Sequence, residues 1–512
     1  MRGRIVSQMV NQLSETLEHE HRQLGQAVIE IISEYVRGLD DVRVCSTAQP
    51  TDLHALFDEP LPLDGVHAES IIETFRRDVI PHTMNIPSPR YYGLFNPTPL
   101  PIAVWADALA SAINQNGAAW RNSPSASVIE ARVLRWLCEL IGYGAESYGT
   151  LTSGGSEANL IALKCARDRK LDGARDHGIA ATASPATNLV VYASEQCHYS
   201  LEKSVDILGL GRRNLRKIPT DERFHIRIGA LREAIARDVE NGAVPLCVAG
   251  AAGATSTGAV DALDELADCA AEYNLWFHVD AAYGGALAFS EQHRARLSGI
   301  ARADSVTFDP HKWMFVPFSC GAVLVRDGGR VLRDAFDITP EYLSEERGGD
   351  DVEYDFFRYG QLGTRRFNAL KVWMALKSLG VRGYAAIIER QIELSSYFAR
   401  RLGDLTEFVL LGEVETAVCC FRFASEALSG ADDAARDAVQ KALQQRVERS
   451  GKAWLSTTVL HHRRALRVNV NSFLTERRHI DDLIELLRRE GAAVLAEISA
   501  GGSESSHEIH FD

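Results

Sequence analysis

Four short stretches carry side chains whose types and spacing could do chemistry together. Lys312 stands in Phe308-Asp309-Pro310-His311-Lys312-Trp313, just after an apolar run, where an amine can hold an aldehyde as a Schiff base. Most lysines are solvated, and one at a strand end can simply snorkel. The neighbours His311, Trp313, Met314 and Phe315 instead argue for an apolar surround that favours the neutral amine. Asp280 closes Leu275-Trp276-Phe277-His278-Val279 and precedes Ala281-Ala282-Tyr283-Gly284-Gly285. A carboxylate there either caps a turn or keeps a heteroaromatic ring nitrogen protonated, with small Ala282 leaving space for a flat ring. His198 reads as a surface histidine or as a ring stacked on that flat ring's other face. In Leu151-Thr152-Ser153-Gly154-Gly155-Ser156-Glu157-Ala158-Asn159 a glycine turn runs into a helix. Its backbone N–H groups suit a phosphate, although a plain turn and N-cap gives the same pattern. No single stretch decides the matter; their occurrence in one region does.

The elements that must position these residues follow from hydrophobic period. Between about 125 and 375, helical stretches such as 228–238 and 261–273 alternate with short apolar runs at Asn188–Ala193, Pro245–Ala249, Leu275–Val279 and Asp304–Phe308. Buried strands joined by crossovers of this length predict an α/β fold with a mostly parallel sheet, whose ligands gather beyond the strands' carboxyl ends. The first 40 residues predict a helix, and the proline-rich stretch 48–103 predicts an irregular extended arm. A Gly-rich, charged segment from Gly328 to Asp351 interrupts the pattern. Helices are expected again at 367–379 and 384–402. A smaller region follows, with strands at Phe408–Leu410, Val418–Phe423 and Ala465–Val470, a final helix at 480–497 and a polar tail from Gly501.

Composition narrows the function classes. With 512 residues and 46% hydrophobic content, the chain can bury a large core. A formal charge of -14 argues against an electrostatic grip on nucleic acid or on an anionic membrane. No stretch reaches the roughly 20 consecutive apolar residues that span a bilayer, and no secretory signal opens the chain, so the cytoplasm is expected. The nine cysteines show no metal-ligand spacing, and adjacent Cys419 and Cys420 lie in an apolar run that predicts burial.

The motifs TSGGSEAN, HVDAAYGG and DPHKW, with the order of the elements around them, resemble the group II pyridoxal-phosphate-dependent amino-acid decarboxylases over roughly residues 10–495. That family includes aromatic-L-amino-acid, histidine, glutamate and sulfinoalanine decarboxylases. The resemblance implies fold type I with a mostly parallel central sheet: an N-terminal helical segment and dimer-wrapping arm over 1–103, and a large cofactor domain over 104–380 with a mobile catalytic loop at about 328–351. A small C-terminal α+β domain over 381–498 and a disordered tail over 499–512 complete it. It implies pyridoxal 5'-phosphate held by Lys312, Asp280 at the ring nitrogen, His198 stacked on the ring, and Gly155, Ser156 and His311 at the phosphate, with Ala282 and Thr255 close by. Asp309 stands where several relatives have an asparagine facing the phosphate, which leaves its role open. The resemblance also implies an obligate homodimer with active sites at the interface. Tyr342, in Pro340-Glu341-Tyr342-Leu343, would protonate the substrate carbon after carbon dioxide leaves; related oxidative aldehyde synthases carry phenylalanine there.

Substrate choice rests on Leu94, Phe95, Asn116, Ala118, Trp120 and Arg121, which match the family's side-chain pocket. Phe95 and Trp120 keep aromatic character and tip the reading toward an aromatic amino acid. Leu94, Asn116 and Ala118 replace a tyrosine, an isoleucine and a phenylalanine of the aromatic enzymes, which opens the pocket. Arg121, if inward, would pair with an acidic side chain as in a glutamate or sulfinoalanine enzyme. Beside the decarboxylase stand an aldehyde synthase, an aminotransferase and a non-catalytic structural dimer. Arg365 and Arg366 do not favour the aminotransferase, since the decarboxylase family shares their stretch.

Overall fold

The computed structural model describes residues 2–182, 188–338 and 354–501. A seven-stranded sheet is built from β2 (Tyr148–Thr152), β3 (Leu189–Ser194), β4 (Leu215–Ile218), β5 (Val244–Ala251), β6 (Trp276–Asp280), β7 (Ser305–Phe308) and β8 (Gly321–Val325), in the order β2-β8-β7-β6-β5-β3-β4. Pairings among β7, β6, β5, β3 and β4 are parallel, and β8 runs antiparallel to both its neighbours. The apolar runs of β3 and β8 are buried at every residue because helices cover both faces of the sheet. Strands β2, β4 and β8 had no counterpart among the strands expected from sequence. Gly149 breaks the apolar run of β2, Arg216 and Lys217 interrupt β4, and the short continuous apolar run of β8 has no period that separates strand from buried helix.

The antiparallel return of β8 needs no crossover helix, so the connection from β7 to β8 stays at the carboxyl end of the sheet. That connection carries Asp309, His311 and Lys312.

A second sheet has five strands in the order β1-β11-β12-β10-β9, where β1 is Tyr91–Tyr92, β9 Phe408–Leu411, β10 Val418–Phe423, β11 Trp454–Leu460 and β12 Arg463–Asn469. Strand β1 pairs in parallel with β11 (Tyr91 opposite Trp454), and the other pairings are antiparallel. Gly93 is required there: a Cβ on it would sit 1.5 Å from the Trp454 ring. Tyr92 Oη donates to the His479 carbonyl at 3.0 Å and Thr475 Oγ1 to the Pro89 carbonyl at 2.8 Å, so residues 89–92 are tied to the C-terminal region of their own chain.

Two expectations change. The stretch 48–103 is not irregular throughout: helices span Pro50–Phe57 and Ala68–Thr74, and another begins at Pro101. Pro50 and Pro101 occupy first-turn positions, where a missing N–H costs nothing. The segment 328–351 begins as a helix, Gly328–Phe336, because Val331, Leu332 and Ala335 recur at helical spacing and are buried. Residues 339–351 of that segment, including Tyr342, lie outside the described residues, as do 352–353 and the tail 502–512. The two helices expected after 367 are both present: the helical span Ala369–Gly403 is divided at Gly380, whose φ of 64° is in the left-handed region and breaks the helical conformation.

Candidate active site

A cavity of about 320 Å³ opens at the carboxyl ends of β5, β6 and β7. Gly155, Ser156, His198, Thr255, Asp280, Ala282, His311, Lys312 and Phe95 all line it, so the structure brings every expected cofactor residue to one place.

Alternation along β6 puts Trp276, His278 and Asp280 on one face and Phe277 and Val279 on the other. Asp280 thus reaches the cavity at the strand's last residue. Burial pushes its carboxyl up, but the Lys312 ammonium, the His198 ring and the Asn159 amide outweigh this and hold it below the ordinary aspartate range. Asn159 Nδ2 donates to Asp280 Oδ2 at 2.9 Å, and the Ala282 N–H to Oδ1 at 3.2 Å. His198 caps the helix Tyr199–Ile207, and desolvation lowers its pKa below the usual value, favouring the neutral ring.

Lys312 does not have the apolar surround expected of it. Trp313, Met314 and Phe315 turn into the core, where Trp313 stacks on Tyr283 at 4.4 Å, and Nζ instead faces Asp309 Oδ2 at 3.0 Å. Asp309 in turn faces the glycine turn. A Cβ on Gly155 would lie 2.9 Å from Asp309 Oδ2, so only glycine lets the start of helix Gly155–Lys170 approach so closely. The other carboxylate oxygen, Oδ1, is buried without a hydrogen bond.

The substrate-side residues are not gathered in the same way. Phe95 is buried and stacked on Tyr283 at 3.9 Å, with Lys312 Nζ 5.8 Å from its ring centre. Leu94 is 46% exposed and absent from the cavity wall. Asn116 spends its side chain on the backbone: Oδ1 accepts from the Arg365 N–H at 2.9 Å and the Ala118 N–H at 3.2 Å. Asn116 and Ala118 line a different pocket, with Ile207, Phe336 and Phe357. Trp120 N–H donates to Asp355 Oδ1 at 3.1 Å, and Arg121 is exposed. Within one chain, Leu94, Asn116, Ala118, Trp120 and Arg121 therefore do not line the cavity.

Sequence reasoning missed two features. Asn159 ends the glycine motif and looked like ordinary helix, yet it is fully buried beside Asp280. Arg467, in β12, is buried behind Phe95, its guanidinium 4.7 Å from that ring, with Nε and Nη2 lacking partners. A lone arginine inside the apolar run Ala465–Val470 was the available signal.

The seven-stranded sheet covered by helices on both faces, the lysine on its switch-back connection and the carboxylate at a strand end define a fold type I pyridoxal-phosphate-dependent enzyme. The pyridoxal-dependent decarboxylase conserved domain matches residues 50–424. The chain is 33% identical over 460 residues to an aromatic-L-amino-acid decarboxylase of Bacillus atrophaeus, covering 89% of this chain and 93% of that one. Its fold superposes on Oryza sativa TDC crystallised with PLP and tryptamine (TM-score 0.86, 28% identity, 93% of this chain and 98% of that one). Mouse CSAD is equally similar (TM-score 0.86, 28% identity, 92% and 98%). The chain belongs to the pyridoxal-dependent decarboxylase family, and its reaction is the decarboxylation of an amino acid to an amine.

The donor set fits the cofactor that this family implies. An ionised, deeply placed carboxylate answers a protonated ring nitrogen, and a helix start stripped of side chains by Gly154 and Gly155 answers a phosphate. Asp309 is the discordant member, since it adds negative charge beside that turn, and Lys312 offsets it.

Proposed function

We propose that the chain decarboxylates an aromatic L-amino acid to its primary amine as an obligate homodimer. The observation that carries the reading is the Asp280 carboxylate, held ionised at the floor of a cavity that Lys312 and His198 also line. Lys312 would hold the cofactor's aldehyde, Asp280 its ring nitrogen, Gly155, Ser156 and His311 its phosphate, with Ala282, Thr255 and His198 against the ring. When bound, pyridoxal phosphate supplies an electron sink for the pair left at the substrate α carbon. The chain's own residues do the rest. Asp280 fixes a proton on the ring nitrogen, because a carboxylate this well partnered stays charged. Lys312 Nζ accepts and returns protons as the substrate amine enters and the product leaves. Tyr342 delivers a proton to the α carbon. Phe95, backed by Tyr283 and Trp313, gives the cavity an apolar aromatic wall, which favours an aromatic side chain.

The homodimer reading is supported by exposed apolar side chains on the N-terminal segment, where Leu61, Leu63 and Val66 are 85%, 94% and 71% exposed. It also accounts for Asn116, Ala118, Trp120 and Arg121 lying away from their own cavity: they would face the partner's. Chemical test and assembly test are separate. Incubating the cofactor-loaded protein with all common amino acids, while following amine, carbon dioxide, ammonia and peroxide, should give an aromatic amine with equimolar carbon dioxide. Ammonia and peroxide in step with carbon dioxide would replace this reading by the aldehyde synthase. Mixing Lys312→Ala with Tyr342→Phe chains should restore activity above either alone if each tyrosine serves the partner's lysine.

A further inference from the structure

Strand β6 presents Trp276, His278 and Asp280 at every second residue, and β7 sets Ser305 beside His278 and Thr307 beside Asp280. Asn159 lies over this polar row, and its neighbours settle which way its amide points. Asp280 is an acceptor alone, so it must meet Nδ2; Thr307 Oγ1 donates to Oδ1 at 2.6 Å. The second Nδ2 hydrogen goes to Ser200 Oγ at 2.9 Å. Having accepted there, Ser200 turns its own hydrogen to His198 Nδ1 at 2.7 Å, and the Ser200 backbone N–H faces the same nitrogen at 3.4 Å. On the other side, Trp276 Nε1–H donates to Ser305 Oγ at 2.8 Å. Ser305 Oγ lies 2.9 Å from His278 Nδ1, and His278 Nε2 lies 3.0 Å from Asn159 Oδ1. Asn159 Oδ1 accepts from both Thr307 and His278 only when His278 carries its hydrogen on Nε2, and His198 Nδ1 accepts from the Ser200 hydroxyl and backbone N–H only when its own hydrogen is on Nε2.

We propose that Asn159 and Ser200 are positioning residues that hold His198 as the Nε2–H tautomer, so that it meets the substrate as a hydrogen-bond donor and not as a base. The tautomer is a property of the chain; only the identity of the group that Nε2–H meets rests on the proposed decarboxylation. Charged groups around the ring are Asp280 on β6, Lys312 and Asp309 on the β7–β8 connection, and Lys203 on its own helix. None of these bonds to Nδ1, which leaves Ser200 in control of it.

The test is nitrogen-15 histidine spectroscopy of the full chain, with and without pyridoxal phosphate, using His198→Gln to assign the His198 signals. The wild type should show an unprotonated Nδ1 and a protonated Nε2 near neutral pH. Ser200→Ala should give mixed tautomers and raise the ring's titration midpoint by about one pH unit, because the neutral form loses its hydrogen bond. Ser200→Thr should restore both. Asn159→Ala should also mix the tautomers, by freeing the Ser200 hydroxyl to turn. A wild-type proton on Nδ1, or an unchanged tautomer in Ser200→Ala, overturns the inference; an unchanged Asn159→Ala overturns the share given to Asn159. If no amine forms from any amino acid, the proposed reaction fails while this readout still decides the tautomer.

Discussion

The two ends of the cavity are built differently. At the ring end, Asp280, Asn159, His278, Ser305 and Thr307 come from one helix and two adjacent strands and satisfy one another's hydrogen bonds. At the substrate end, Phe95 alone among six expected residues reaches the cavity, and it arrives on a segment docked to the other sheet. The difference teaches that chemistry common to all substrates is held by rigid elements of one chain, whereas selectivity is carried by segments that need something more to close over them.

That contrast can be broken, and the largest expected effect is at the ring end. Lys312→Ala should lower turnover by more than about 10³-fold and abolish the visible absorbance of the loaded protein, with unfolding unchanged. A steady-state rate like the wild type's would refute the lysine's role. Tyr342→Phe should slow amine formation by about 10²–10⁴-fold and shift product toward ammonia and peroxide, which a coupled peroxide assay reads. Glu130→Ala should cost about 3–5 kcal/mol in chemical denaturation. It leaves buried Arg365 without its carboxylate, and Arg365 Nη1 also donates to the Gly117 carbonyl at 3.1 Å, so the strut beneath residues 116–120 goes with it. Smallest is Leu94→Tyr, which should change the ratio of kcat/KM between aromatic and acidic substrates by roughly tenfold and leave the absorbance intact. An equal change at the ring end would erase the distinction.

How much of this was legible in the sequence follows the same division. Asp280, His198 and Lys312 could be read because a strand end, a helix start and a strand-to-strand connection each leave a local pattern, and the fold's order of elements placed them together. Asn159 and Arg467 could not, since their partners are set by contacts over 121 and 374 residues of chain. Asn116 illustrates the opposite failure. It was expected at the substrate pocket, but its amide is spent on the Arg365 turn, which no spacing in the sequence announces. The helix at Gly328–Phe336 was hidden by its two leading glycines, although its buried face has helical period.

The pairing of β1 with β11 has a consequence for synthesis. Arg90 donates to the carbonyl of Lys452, 362 residues further along. At about 5–20 residues per second, the ribosome delivers that partner roughly 20–70 s after Phe95 has emerged. Until then the segment that carries Phe95 can stack on Tyr283 but lacks the strand it pairs with, so the nascent chain passes through a stage in which the large sheet and its lysine are made while one side of the cavity is not yet tied down.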